Sequence, residues 1–329
     1  MSAVQQRQVS SDEDGMRLDR WFAQNFPQLG FGRLQKLIRN GEVRVDKGRV
    51  QTSTRLAAGQ TVRIPPIDDA DTATKPVRVN SGDAQFLRDI ILYEDEDIYV
   101  FNKPHGLAVQ GGSGTFRHLD GMLKSLPNKL GEAPRLVHRL DRDTSGCLVV
   151  AKTQAAASHF GEVFRSRSAR KIYWAIVAGN PNPRQGEISC FLSKQATTDG
   201  EQMVVVKNGT PGAQHSMSYY STTDTASRRF AWVTLKPVTG RTHQLRVHMA
   251  QLGTPIIGDP RYFNIENWQG APGLGEGLQL HARRIALPLR NGKRLDVSAP
   301  LPPHMRESFD ALGFDPDRFD VSKDPEDGA

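Results

Sequence analysis

The sequence predicts an α+β protein dominated by antiparallel sheet, with a small basic domain ahead of it. Three observations carry this expectation. Short strand-like runs recur at Ile90–Tyr93, Ile98–Phe101, Arg135–Val137, Cys147–Ala151, Lys171–Ala178 and Ala231–Pro237. Helical spacing is confined to brief stretches between them. Asn291-Gly292 closes a late hairpin, the turn chemistry of adjacent antiparallel strands.

Taken in order, residues 1–15 are polar and are expected to form a flexible N-terminus. Leu18, Trp21 and Phe22 fall at i, i+3, i+4, and Leu34, Leu37 and Ile38 repeat that spacing before Asn40-Gly41, which would end a second helix. Strands follow at Glu42–Val45 and Thr61–Ile64, the first leading into an Asp46-Lys47-Gly48 turn. Two helices and a few strands within residues 16–64 resemble an S4 RNA-binding domain. Arg33, Lys36 and Arg39 recur at three-residue spacing on its second helix, a stripe able to neutralise phosphates. The plainer reading of that stripe is a solvated helix face.

Residues 65–88, rich in Pro, Asp, Thr and Ser, read as a linker. Residues 89–309 form the main domain. Within it, Thr153 is placed to cap a helix over Gln154–Phe164. A further helix runs from about Thr242 to Leu252, ended by Gly253, with Leu245, Met249 and Leu252 facing inward. Residues 310–329 read as an acidic tail.

The chain has 329 residues, a formal net charge of +7 and a sequence pI near 9.5, which favour a polyanionic partner. The charge is uneven: residues 16–64 carry ten Lys/Arg against three Asp/Glu, whereas residues from Asp310 onward carry two against seven. Cys147 and Cys190 are far apart in sequence, as free thiols of a reducing compartment would be. No apolar stretch approaches the ~18 residues of a membrane span, so a cytoplasmic protein with no membrane partner is expected.

The most informative stretch is Arg135–Ala151. Cys147–Ala151 is continuously apolar, the pattern of a strand buried on both faces. Ahead of it, eight of the nine residues from His138 to Gly146 are polar or glycine. So polar a loop beside a core is more often a site than a connector. Asp141, set between Arg139 and Arg142, could act as nucleophile or general base. The alternative is a surface ion-pair cluster with a Thr-Ser turn.

His138–Gly146 resembles the signature of the RluA family of RNA pseudouridine synthases. Leu92–Ile98 leading into Asn102-Lys103-Pro104-His105-Gly106 is similar to its opening strand and turn. Lys171-Ile172-Tyr173, Pro237–His248 and Leu280-His281-Ala282 are similar to its later motifs, in the family's order, over roughly residues 89–303. Gly111–Gly114 and the wording of the His138 motif look most like the family's C-type branch, whose members modify uridines of 23S rRNA. Two positions depart from that branch: Gln110 stands where histidine is more usual, and Gly258-Asp259-Pro260-Arg261-Tyr262 follows the wider family.

The resemblance implies that Asp141 is the catalytic carboxylate, that Arg246 pairs with it, and that Tyr173 stacks on the uracil. It further implies that Arg139 fills the gap left by a flipped-out uridine. His138, Arg241 and His243 are carried over with their motifs as RNA-contacting residues. The partner implied is 23S ribosomal RNA or a large-subunit precursor particle; no clear oligomerisation surface stands out in the sequence, so a monomer is expected by default.

Pseudouridine formation breaks N1–C1′, joins C5 to C1′ and releases the C5 proton. It needs no redox change, so no cofactor is expected, and no Walker-type Gly-Lys-Ser/Thr is present. The spacings of His138, His243, His248 and His281 match no zinc pattern, and no metal is expected. Two rivals remain. Asp141 and Asp143 could be the carboxylate pair of an RNA N-glycosidase, which would release free uracil. Alternatively, the chain could be a non-catalytic ribosome-assembly factor using only its basic N-terminal domain.

Overall fold

The apolar spacing in the first part of the chain closes a small core of its own. Leu18, Trp21, Phe22, Leu34, Leu37, Ile38, Val43, Val45, Leu56, Val62 and Ile64 pack together with Val9. This is seen in a computed structural model that describes residues 4–26, 29–67, 82–111, 115, 117–128, 131–197, 200–266, 268 and 270–318. The chain divides into two compact units, Met1–Arg78 and Val79–Ala329.

The first unit contains β1 (Gln5–Gln8), α1 (Leu18–Asn25), α2 (Phe31–Arg39), β2 (Arg44–Val45), β3 (Gly48–Arg49) and β4 (Thr61–Ile64), its sheet ordered β1-β4-β2-β3. The flexible N-terminus expected over residues 1–15 is corrected here for residues 4–15; residues 1–3 lie outside the described residues. Gln5–Gln8 pairs antiparallel with Thr61–Ile64, Val9 is buried, and Glu13 accepts from the Ser10 N–H and from Asn25. The strand Gln-Gln-Arg-Gln is exposed along its whole length, so no alternation marked it. Its backbone alone completes the sheet.

The second unit opens with α3 (Asp83–Asp89), β5 (Ile91–Glu94), β6 (Ile98–Lys103), α4 (Leu119–Met122), β7 (Arg135–Leu136), β8 (Ser145–Ala151), α5 (Gln154–Arg165) and β9 (Arg170–Ala178). There follow β10 (Gln185–Thr197), β11 (Gly200–Val206), β12 (Gln214–Ala226), β13 (Phe230–Pro237), α6 (Gln244–Gln251), β14 (Leu280–Pro288), β15 (Arg294–Ser298) and α7 (Pro303–Leu312). Among the described residues the sheet has eleven strands, ordered β11-β10-β12-β13-β9-β14-β8-β6-β5, with β15 on β14 and β7 on β8. Among the named strands of the described residues, only the β14–β8 contact is parallel, His281 beside Ser145 and Ala282 beside Gly146. The fold is α+β with a mixed, mainly antiparallel sheet.

Thr153 caps α5 by accepting from the Ala156 N–H. Strands β10 to β12 carried no expectation. Their inward positions on β12 are Ser216, Ser218, Tyr220 and Thr222, which hide the alternation from a hydrophobicity reading.

Two boundaries are also corrected. The linker expected over 65–88 ends earlier, because Asp83–Asp89 is a helix whose Leu87 is fully buried. Residues 68–81 lie outside the described residues. The acidic tail does not begin at 310: α7 continues to Leu312, Gly313 turns the chain at φ 71°, and Phe314 returns to the core against Trp232 and Phe309. Residues 319–329 lie outside the described residues.

Candidate active site

The polar loop between β7 and β8 is fixed from several directions. Lys103, at the end of β6, is fully buried and donates to the carbonyls of Pro104, Leu107 and Arg142 at 2.8 Å each. It ties the turn after β6 to the loop that carries Asp141. Burial pulls its pKa down to about 7, against the opposing charges of Asp143 and Asp141.

His138 anchors the other end of the loop. Its Nε2 accepts from the Val149 N–H at 2.8 Å, and its ring stacks on Phe164 at 4.2 Å. Burial, with Lys171 second, pushes it down to about 3, so it is neutral and its accepting nitrogen is secure. Between these anchors Leu140 is buried, and the Thr144 N–H turns back to the Asp141 carbonyl at 3.2 Å. Asp141 is left with a side chain 18% exposed.

Arg246 approaches from α6, itself held by Gln244. That side chain donates to the Met217 carbonyl at 2.9 Å and Ser218 Oγ at 2.8 Å, and accepts from Thr239 Oγ1 at 2.6 Å. The Arg246 guanidinium is 3% exposed and donates through Nε and Nη2 to the two oxygens of Asp259, at 2.7 Å each. Its Nη1 lies 3.8 Å from Asp141. Burial opposes the positive charge, but Asp259 first and Asp141 next outweigh it, and the pKa is raised. Asp259 completes its own shell by accepting from the Arg261 and Tyr262 N–H groups, at 2.9 and 3.1 Å.

His243 precedes α6 in the left-handed region at φ 52°, with Nδ1 2.9 Å from the Tyr262 hydroxyl. Such a φ is uncommon for a residue other than glycine and is concentrated at functional sites. Tyr173 projects from β9. Burial, then the negative charge of Asp141, pushes its phenol well above the ordinary tyrosine range. Arg241 donates through Nε to the His215 carbonyl at 3.0 Å.

A cavity of ≈ 440 Å³ brings these groups together: His138, Arg139, Asp141, Tyr173, Arg241, His243 and Arg246 all line it. That volume suits one nucleoside-sized ligand. Arg139 is exposed at its edge, with no hydrogen bond or ion pair among the described residues. Arg33, Lys36 and Arg39 belong to the first unit, exposed on the side of α2 turned away from Leu34 and Leu37. In the same unit Arg44, Lys47 and Arg63 border a second hollow.

The sequence reading missed Asp259, Gln244 and Lys103 as contributors, although each lies in a quoted motif. Their charge or polarity was visible; their burial was not. Among the described residues no three His, Cys, Asp or Glu side chains are grouped to hold a metal ion. His281 bonds Ser145 Oγ at 2.9 Å and His248 bonds Ser216 Oγ at 2.9 Å.

The family profile for RNA pseudouridylate synthase matches residues 97–251, a span that includes Asp141, Tyr173 and Arg246. A Yersinia pestis protein, ribosomal large subunit pseudouridine synthase C, is 37% identical over 94% of this chain and 96% of its own. The chain belongs to the RluA family of RNA pseudouridine synthases. The Escherichia coli K12 protein of the same description is 35% identical to the enzyme, over 92% of this chain and 95% of its own. Among solved structures, human RNA pseudouridylate synthase domain containing 4 superposes with a TM-score of 0.59 at 31% identity, covering 70% of this chain and 95% of that one. The enzyme is therefore an RNA pseudouridine synthase. No helix among its described residues is long and apolar enough to cross a membrane.

Proposed function

We propose that the enzyme isomerises uridines of large-subunit (23S) ribosomal RNA, as free RNA or in a precursor particle, with Asp141 as the attacking carboxylate. One observation carries the chemistry. The Asp141 carboxylate opens onto a nucleoside-sized cavity between the Tyr173 ring and the Arg246 guanidinium. The RNA class is supported by the large-subunit synthases that align with nearly the whole chain.

In this reading a uridine leaves its stack, at a cost of a few kcal/mol, and enters the cavity. Tyr173 offers a flat apolar face for the uracil. Asp141 attacks the nucleotide as N1–C1′ breaks; the base turns, C5 joins C1′ as the bond to Asp141 is released, and the C5 proton departs while N1 takes one up. The hydrogen lost from C5 is matched by the one gained at N1, so the nucleotide keeps its composition and no external group is consumed. Arg246 holds the carboxylate against the cost of a partly water-excluded site. Arg139, long and uncommitted at the edge, fills the space the base vacates. Arg241 and His243 border the bound nucleotide, while His138 acts by holding the loop.

The first unit serves as an S4-like RNA-binding domain, with Arg33, Lys36 and Arg39 on phosphates. The second unit holds the reaction, and the protein works as a cytoplasmic monomer. The test is tritium release from 23S rRNA transcribed with uridine labelled at C5. Release by wild type without free uracil, and none by Asp141→Ala, is the expected result. Equal release by both proteins would remove Asp141 from the mechanism.

A further inference from the structure

Side chains alternate along β9, so Lys171 and Tyr173 stand on one face, about 6–7 Å apart along the strand. Both line the cavity that holds Asp141. Lys171 is half-buried, yet among the described residues its ammonium has neither a hydrogen bond nor an ion pair. Its charged neighbour is another cation. Burial first, and Arg167 second, lower the Lys171 pKa.

Arg167 lies in the turn between α5 and β9, exposed, and lines the same cavity. It too has no hydrogen bond or ion pair among the described residues. Its backbone is left-handed at φ 63°, a conformation that a branched or bulky side chain adopts at a cost. The third cation here, Arg165, is different: it is committed to Glu162 at 2.6 Å. Lys171 and Arg167, uncompensated like Arg139, therefore lie on the cavity edge beside each other, one of them partly desolvated, and they repel each other. A bound anion reverses both penalties, because it replaces the lost water and neutralises the repulsion. A phosphodiester does so with two unbridged oxygens, one for each cation.

We propose that Lys171 and Arg167 together hold a backbone phosphodiester adjoining the target uridine while Tyr173 faces its base. This rests on the reading of the cavity as a uridine site. It gives the nucleotide two fixed points on the Tyr173 face of β9: base on the ring, phosphate one pleat away. Held so, the ribose spans the two and presents C1′ towards Asp141.

The test uses the full-length enzyme and a fluorescein-labelled 23S rRNA fragment, with the dissociation constant followed against KCl concentration. Loss of one phosphate contact lowers the slope of log affinity against log salt by about 0.7–0.9. Lys171→Gln and Arg167→Gly are each expected to show that reduction, with affinity weaker by roughly threefold to tenfold. KM should rise while kcat stays closer to wild type, and Lys171→Arg should restore the slope. Glycine accepts φ 63° without strain, so Arg167→Gly remains informative if Lys171→Gln folds poorly. Wild-type slopes in both neutralised variants would overturn the phosphate site, whatever the enzyme's activity. If wild type released no tritium from any 23S transcript, the uridine reading would fail instead, and the slopes would still decide whether these cations bind phosphate.

Discussion

Arg246 spends two of its donors on Asp259, at 2.7 Å each, and turns only Nη1 towards Asp141, at 3.8 Å. The tight bidentate pair is the structural one; the looser contact faces the cavity. This division lets the guanidinium be fixed in place while its charge remains available to Asp141, the carboxylate proposed to attack the nucleotide. A planar fork can do both at once, whereas a lysine ammonium is a single point of charge.

Asp259→Ala is expected to lower stability by about 3–5 kcal/mol, because a buried guanidinium loses its main partner. Asp259→Asn keeps the shape but only one good acceptor, and should fold better while still losing kcat. Arg246→Lys should fold yet lose at least about tenfold in kcat, since one ammonium cannot serve both carboxylates. Urea unfolding and tritium release at saturating RNA separate the two effects. A folded Asp259→Asn enzyme with wild-type kcat would show that the pair has no part in poising Arg246.

Gly146, the second residue of β8 after the Asp141 loop, has φ 107°, and a Cβ there would clash with the Ala282 carbonyl oxygen. The obstacle is backbone of β14 at its one parallel contact with β8, so neither side can yield cheaply. Gly146→Ala is expected to destabilise by several kcal/mol or to shift the loop and abolish activity. A Gly146→Ala enzyme with normal melting temperature and normal tritium release would contradict this close approach.

Local signals in the sequence reached most of the site and part of the fold. The buried run at Cys147–Ala151, the Thr153 cap and the helix carrying Arg246 depend on neighbours in sequence, and each stands where its pattern put it. Asp141, Tyr173 and Arg246 were found through motifs, and a single cavity joins them. Asp259 was not assigned a role, because a carboxylate in a Gly-Asp-Pro turn looks exposed until its partner thirteen residues upstream is placed against it. The edge strand Gln5–Gln8 and the Ser/Thr-rich strand Gln214–Ala226 were missed for a related reason. Their stability comes from pairing with distant strands rather than from an apolar stripe of their own.

Tyr173 has no hydrogen bond from its hydroxyl among the described residues, and its ring supplies the apolar contacts. Tyr173→Phe should therefore change stability by less than about 1 kcal/mol. If the ring is only a platform, KM and kcat both persist. Burial, then Asp141, keeps the hydroxyl protonated, so in the proposed reaction it moves the C5 proton only as a relay, handing on its own proton as it takes up the other. The expected result is an intact KM with kcat lowered by about 10²-fold or more. The check is single-turnover tritium release compared with RNA binding; an unchanged kcat would reduce Tyr173 to the stacking role.

Three strongly buried histidines contribute to the response of the fold to acid. Burial lowers His281 and His138 to about 3 and His248 to about 4, from an ordinary 6.5. In the unfolded chain each takes up a proton as pH falls through 6.5, whereas the folded chain refuses it until pH 3–4. Across that window the unfolded chain binds more protons. Their contribution is thus fully present above pH ~6.5 and declines as the pH drops, by about 1.4 kcal/mol per pH unit for each histidine. His281 is the cleanest to test, being fully buried between Ser145 Oγ and the Ala299 carbonyl. His281→Asn will cost stability at neutral pH, so the informative quantity is the slope. Urea midpoints measured from pH 8 to pH 4 should fall less steeply in His281→Asn than in wild type. Parallel slopes would mean that His281 takes a proton in the folded enzyme, and that the Ser145 to Ala299 bridge opens in acid without unfolding the sheet.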